Sequence, residues 1–251
     1  DNLSIGANIS YIYGDITHSV TTAFSNSSSF SSVRLDKISI NDYKLDFGLQ
    51  YSYKFNKKHV LNFGAVYSLG HSVNGKGYKY NQKWLNGADY PSTQTGDTIT
   101  NAFSLPHTFG AGLTYVYDNR LTIGADFTYQ QWEDAKFYNE KSYFSNRTKI
   151  AAGAEFVPNP YSRNYLKRVR YRVGGYYSDP YTKVDGQDGT REYGVSAGFG
   201  FPLFQSKSIL NISGQYVRVS PKVKGMLEEN YLKINIGLTF NERWFMKWKV
   251  D

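Results

Sequence analysis

Near its C-terminal end the chain carries Tyr231-Leu232-Lys233-Ile234-Asn235-Ile236-Gly237-Leu238-Thr239-Phe240. Every even position is apolar, and the odd positions are mostly polar or small. A period of two means a β-strand with one apolar and one polar face. About ten residues is also what a tilted strand needs to cross a bilayer core. A half-buried strand of a soluble sandwich looks the same, so the decision rests on what the rest of the chain repeats.

The pattern recurs along the whole sequence. A first strand sets Leu3, Ile5, Ala7, Ile9, Tyr11 and Tyr13 on one face, and a second sets Tyr43, Leu45, Phe47, Leu49, Tyr51, Tyr53 and Phe55. Further strands start at Leu61, Phe109, Leu121, Ile150, Val169, Tyr193 and Leu210, and Tyr231–Phe240 makes the tenth. The links after the odd-numbered strands are long and polar: the Ser-rich Ser25–Ser32, the stretch from His71 to Gly96, Tyr138–Asn146, Asp179–Thr190 and Pro221–Glu229. The links after the even-numbered strands are tighter, as at Asn56-Lys57-Lys58 and Asp118-Asn119-Arg120. Long loops alternating with short turns are the arrangement of a transmembrane β-barrel, long outside and short in the periplasm.

Composition narrows the alternatives. The chain has 251 residues, with 23 Tyr, 16 Phe and 4 Trp, and a mean hydropathy of −0.52. No apolar run approaches a transmembrane helix, and among membrane proteins only a barrel combines hydrophilic composition with so many aromatics. Charge placement agrees. The central apolar faces carry no Asp, Glu, Lys or Arg, whereas Lys44, Asp46, Lys54, Asp126, Lys149, Glu155, Arg168, Arg170, Arg172 and Lys233 take the opposite faces. A Lys or Arg at the lipid midplane costs about 2–4 kcal/mol, so this segregation is expected for lipid outside and water or paired charge inside. The expected fold is therefore all-β: one antiparallel outer-membrane barrel domain over residues 1–251, with ten strands in this chain.

There is no Cys, which excludes a disulfide scaffold and thiolate chemistry. The formal net charge of +8 is spread along the chain, so nucleic acid is not an expected partner. No signal peptide is seen, and an outer-membrane location requires that it was removed or lies outside this sequence. The polar faces carry many glycines, among them Gly6, Gly48, Gly64, Gly110, Gly112, Gly194 and Gly198. They serve either sheet curvature or an open interior, and the sequence leaves both standing.

Several segments resemble the FadL/OmpP1/TodX family of outer-membrane transporters. Leu3-Ser4-Ile5-Gly6-Ala7-Asn8 with Tyr11–Gly14 looks like a middle strand of that family. Leu105-Pro106-His107-Thr108-Phe109-Gly110-Ala111-Gly112, Ala152–Phe156 and Arg172–Asp179 are similar to the strands that follow, and Asn241–Trp248 to a basic, aromatic barrel ending. The resemblance implies a fourteen-stranded barrel with a hatch, of which this chain matches the C-terminal ten strands; the alternative is closure at ten. It implies binding and passage of hydrophobic molecules such as long-chain fatty acids. Some relatives act instead as non-transporting partners in secretion or assembly machines, which is the alternative function.

No catalytic site is expected. His18, His59, His71 and His107 lack metal-ligand spacing with acidic neighbours, and neither Gly-x-Ser-x-Gly nor a phosphate-binding Gly loop is present. No cofactor or metal follows from the sequence. The candidate ligand contacts are an aromatic catch of Phe24, Phe30, Tyr78, Tyr80, Trp84 and Tyr90, and an Arg168, Arg170, Arg172 ladder facing an anionic headgroup or neutralising Asp46, Asp126 and Glu155. Equally, the aromatics suit an interface belt. Expected partners are outer-membrane lipid and lipopolysaccharide, a hydrophobic ligand and other outer-membrane proteins.

Overall fold

A computed structural model describes residues 2–25, 30–85, 93–138, 140–184, 186–203, 208–223 and 225–240. Its strands are β1 (Leu3–Thr22), β2 (Phe30–Lys54), β3 (His59–Ser68), β4 (His71–Val73), β5 (Gly75–Leu85), β6 (Thr93–Thr100), β7 (Phe103–Leu105), β8 (Thr108–Tyr117), β9 (Leu121–Gln130), β10 (Arg147–Phe156), β11 (Arg170–Ser178), β12 (Lys183–Val184), β13 (Gln187–Asp188), β14 (Thr190–Pro202), β15 (Ile209–Pro221) and β16 (Glu229–Thr239). The main sheet is an antiparallel meander, β1-β2-β3-β8-β9-β10-β11-β14-β15-β16, and these are the ten strands that alternation predicts. The sheet is open: among the described residues β1 pairs with β2 alone and β16 with β15 alone, so closure at ten does not form.

Register keeps one face apolar from edge to edge. Ile5 pairs with Leu49, Leu49 with Ala65, Ala65 with Ala111, Ala111 with Phe127 and Phe127 with Ile150. Beyond them Ala152 pairs with Gly175, Gly175 with Val195, Val195 with Tyr216 and Tyr216 with Leu232. A slip of one residue at any pair would send a whole strand's apolar set to the polar face. Nothing covers this apolar face: Ile5 is 77% and Ile234 70% exposed. In a sandwich it would be the core; bare apolar surface on this scale needs lipid or a partner.

The strands run further than expected. β1 reaches Thr22 and β2 begins at Phe30, which shortens the Ser-rich loop. The stretch 71–96 is not a plain loop, because it holds β4, the whole of β5 and the start of β6; β5 pairs with the upper part of β2, from Phe30 to Ile40. The sequence reading missed this because the hydrophobic side changes. Below Tyr13 and Asn41 the odd residues of β1 and β2 are apolar. Above that level Asp15, Thr17, Lys37 and Ser39 take odd positions and the apolar Ile16, Val20, Ile38 and Ile40 even ones, while Val33 and Leu35 stay odd and His18, Arg34 and Asp36 even. The pairing continues through Tyr13↔Asn41, Gly14↔Ile40 and Asp15↔Ser39 without a slip. One sheet therefore has a lower wall that is apolar outside and an upper head that carries apolar side chains on both faces.

The head has a core. Ile38 is 1%, Ala102 0% and Tyr138 5% exposed, with Ile40, Ile99, Phe103 and Phe137 packed around them. Between wall and head the strand pair breaks at Gly70 and Pro106. Proline lacks the N–H that the ladder needs, and a Cβ at Gly70 would run into the His107 amide.

Candidate functional site

The expected aromatic catch divides between the two faces. Tyr78 and Tyr80 on β5 pair with Lys37 and Leu35, and Trp84 with Ser31, so all three stand on the outer side of the head. Tyr78 and Tyr80 stack with centroids 6.1 Å apart and planes 10° from parallel. Phe30 occupies an even position of β2 and so takes the opposite face, and Phe24 stands exposed in the link after β1. Tyr90 lies outside the described residues, as do Trp244 and Trp248.

The arginine ladder is also divided. Arg170 and Arg172 share Glu155, at 3.0 and 2.6 Å, and Arg172 donates a further 2.7 Å hydrogen bond to the Asn211 side-chain oxygen. These charge-assisted bonds tie β10, β11 and β15 together on the polar face. Arg168 lies apart, its guanidinium 5.4 Å from the Tyr165 ring centroid in the β10–β11 turn. Asp46 does not meet the ladder; it accepts from Lys44 at 2.6 Å and Ser68 at 2.5 Å. All of these groups are partly exposed, which limits each pair to about 1 kcal/mol or less.

Two recesses open on the polar face. One, about 720 Å³, runs along Gly6, Gly48 and Gly64 beside Lys44 and Asp46. The glycines resolve into two groups. A Cβ at Gly6 or Gly64 would meet nothing within 4 Å, whereas one at Gly198 would come 2.8 Å from the Ser213 Cβ and one at Gly110 2.5 Å from a Val66 methyl. The first group leaves interior room and the second makes way for a cross-strand neighbour.

The other recess, about 700 Å³, was not foreseen. It lies inside the head, between Ile16, His18 and Val20 of β1, Arg34, Asp36 and Ile38 of β2, Lys79 of β5, and Phe137, Tyr138 and Tyr143 of the β9–β10 loop. Asp36 pairs with Arg34 at 3.3 Å, and the Lys79 ammonium sits 4.6 Å from the Tyr138 ring centroid. Burial, helped by the Asp36 charge, pushes the Tyr138 hydroxyl up to about 12. Behind it the loops stack Trp132 on Tyr181 at 5.1 Å and on Phe144 at 5.2 Å. The signal for this site was present in the exchange of apolar parity at Ile16, Val20, Ile38 and Ile40.

Among the described residues no group of three His, Asp or Glu is placed to hold a metal. His59 and His107 bond tyrosine hydroxyls, Tyr115 at 2.6 Å and Tyr67 at 2.8 Å, and His71 stacks on Tyr43 at 4.8 Å.

Solved structures with this fold are outer-membrane proteins. A Pseudomonas aeruginosa FadL homologue matches with a TM-score of 0.51 and 16% identity, over 88% of this chain and 57% of its own. The RagAB peptide importer in its closed-closed state matches with a TM-score of 0.55 and 11% identity, over 94% of this chain and 32% of its own. The chain thus spans just over half of one and about a third of the other, and at these identities the likeness is one of fold. A search among curated proteins finds no match. A family model, that of BamG, matches from residue 1 to residue 251, and the chain belongs to the BamG family.

Proposed function

We propose that this chain is a non-transporting interaction barrel of the outer membrane, a partner subunit of a complex that assembles or secretes outer-membrane proteins. The observation that carries the reading is the side on which β5 sets its aromatics. Tyr78, Tyr80 and Trp84 continue the outer face of the wall upward, where a neighbour in the membrane plane would stand, and turn away from the interior recess. Such rings bury large area with few rotatable bonds and are favoured interface anchors. The assignment to BamG, a barrel-assembly-related family, supports the same reading. In it the long-loop end is extracellular and the short-turn end periplasmic. Lipid and lipopolysaccharide surround the wall, other outer-membrane proteins meet the head, and no cofactor or reaction is involved.

A photo-crosslinking amino acid at Tyr80 tests it. The expected result is one stoichiometric outer-membrane protein partner, lost from the native complex when Tyr78, Tyr80 and Trp84 are all changed to Ala, with fatty-acid uptake unchanged. Crosslinks to lipid alone, together with uptake lost on gene deletion, would overturn it.

A second reading, FadL-type passage of a hydrophobic molecule, is favoured by the interior recesses and the fold shared with the FadL homologue. It requires lipid or detergent acyl chains inside the head recess, and the substitutions Ile38→Asp and Val20→Asp would then abolish uptake.

A further inference from the structure

Of the short-turn links described throughout, two are tight and one is long. β2 and β3 are joined by residues 55–58 and β8 and β9 by 118–120, whereas the β10–β11 link runs from 157 to 169. This link is not slack. Asn159 donates its N–H to the Lys167 carbonyl at 2.8 Å and accepts from the Tyr161 N–H at 3.0 Å. Asn164 caps the 3-10 turn Tyr165–Lys167 by accepting from the Leu166 N–H at 3.1 Å, and Val157 donates to the Arg120 carbonyl at 2.7 Å.

So braced, the link holds two apolar side chains away from the protein. Tyr161 is 92% exposed, more than any other large apolar side chain described, and Leu166 is 64% exposed. The Tyr171 hydroxyl donates to the Leu166 carbonyl at 3.1 Å, and Tyr171 belongs to the apolar face of the wall, between Phe156 and Phe199. The link therefore folds over the rim on the lipid side. The same link carries Arg163, Lys167 and Arg168, and Lys57 and Lys58 lie on another turn of the same end. The acids nearby are engaged elsewhere: Asp118 lies 3.4 Å from Arg120, and Glu155 is taken by Arg170 and Arg172.

We propose that the 157–169 link is a lipid clamp: Tyr161 and Leu166 enter the periplasmic leaflet, and Arg163 and Lys167 hold the phosphate of an anionic phospholipid. Amphipathic aromatics at headgroup depth and basic side chains above them are the two elements that retain a protein at an anionic interface. Each basic group near such a surface is worth about fivefold in lipid retention, and salt weakens it. The inference rests on the membrane orientation proposed above but not on the partner role.

Because the chain has no Cys, Tyr161→Cys and Leu166→Cys each give a single site for a nitroxide label. In nanodiscs containing phosphatidylglycerol both labels are expected to collide more often with oxygen than with a water-soluble nickel chelate. Native mass spectrometry of the wild type should retain phosphatidylglycerol over phosphatidylcholine. The double variant Arg163→Gln, Lys167→Gln should lose about 25-fold of that preference, two charges at about fivefold each. Labels with water-like accessibility, or a preference unchanged in the double variant, would overturn the clamp. A link that instead protects a periplasmic protein from dissociation would do so too. Failure to enter nanodiscs at all would overturn both the clamp and the membrane reading.

Discussion

A single strand, β2, passes through two regions that bury apolar residues in different ways. In the wall, from Tyr43 to Tyr53, its apolar side chains face out and the inward residues are Lys44, Asp46 and Gln50. In the head, along the same ladder, Ile38 and Ile40 face in beside Arg34 and Asp36, and Lys37 and Ser39 face out beside Val33 and Leu35. The difference teaches what each region relies on. The wall buries almost nothing within itself, so its apolar face depends on lipid. The head packs Ile38, Ala102 and Tyr138 as a water-soluble domain would.

The sharpest break of this comparison is at Ile38. Ile38→Ala is expected to destabilise the head by about 2–5 kcal/mol, the cost of a core cavity. Hydrogen exchange should accelerate in β5 and β6 while β9, β10 and β11 keep their protection. Slowed or unchanged exchange in β5 would mean that the head is no separate core. The next test moves one chemistry along one face. Leu49→Arg, in the wall, should cost about 2–4 kcal/mol in urea unfolding from lipid vesicles. Leu35→Arg, on the same face but in the head, should stay within about 0.5 kcal/mol. Equal costs would place the membrane boundary above the exchange of parity.

Glycines refine the contrast. In the head, a Cβ at Gly77 would come 2.7 Å from the Ala102 Cβ and 3.0 Å from the Tyr138 ring. Gly77→Ala should therefore cost about 1–3 kcal/mol by overpacking. In the wall, a Cβ at Gly64 meets nothing within 4 Å, and Gly64→Ala should be neutral or stabilise by about 0.4–1 kcal/mol. Thermal unfolding in one lipid mixture compares the two directly.

The same contrast explains what the sequence disclosed. The ten wall strands were legible because the lipid-facing apolar residues, from Leu3 to Leu238, recur at every second position, although the inner face also carries Val66, Tyr176 and Val217. The head was not, because apolar residues there stand on both faces over short runs. Lys76-Gly77-Tyr78-Lys79-Tyr80 does alternate, yet with polar Lys79 facing the recess it lacks the apolar signature of a wall strand. For Tyr78, Tyr80 and Trp84 the sequence left a ligand catch and an outer interface belt both standing, since face depends on pairing with Lys37 and Leu35 far earlier in the chain. Phe137, Tyr138 and Tyr143 gave no periodic sign, because a loop's contacts are set by the sheet it folds onto. Whether the first strand meets the last is likewise a question of global curvature, which no local pattern encodes.

The smallest expected effect separates the regions by pH. At the long-loop end Asp188 accepts a 2.6 Å hydrogen bond from Ser145 and lies 3.1 Å from the Lys222 ammonium, joining the β9–β10 loop, the β12–β13 hairpin and the top of β15. The Ser145 hydrogen bond, then the Lys222 ammonium, holds its carboxyl below the ordinary 3.8. A carboxyl depressed on folding contributes stability that is full above its unfolded value and is lost as pH falls through its folded value. The clasp should therefore be intact at neutral pH and loosen only in acid below the usual carboxylate range. Because Lys222 and Asp188 are each more than a third exposed, the loss should stay under about 1 kcal/mol. Tyr138 acts at the other end of the scale: raised to about 12, it favours folding while protonated, so the head should weaken as pH climbs from about 10 to 12. Trp132, stacked on Phe144 and Tyr181 in the head, is the fluorescent reporter for both transitions. Asp188→Asn should remove the acid transition and leave the alkaline one, while exchange protection in β9 and β10 of the wall stays level between them. A wall that opened together with the head at either extreme would mean that the two regions form one cooperative unit despite their different faces.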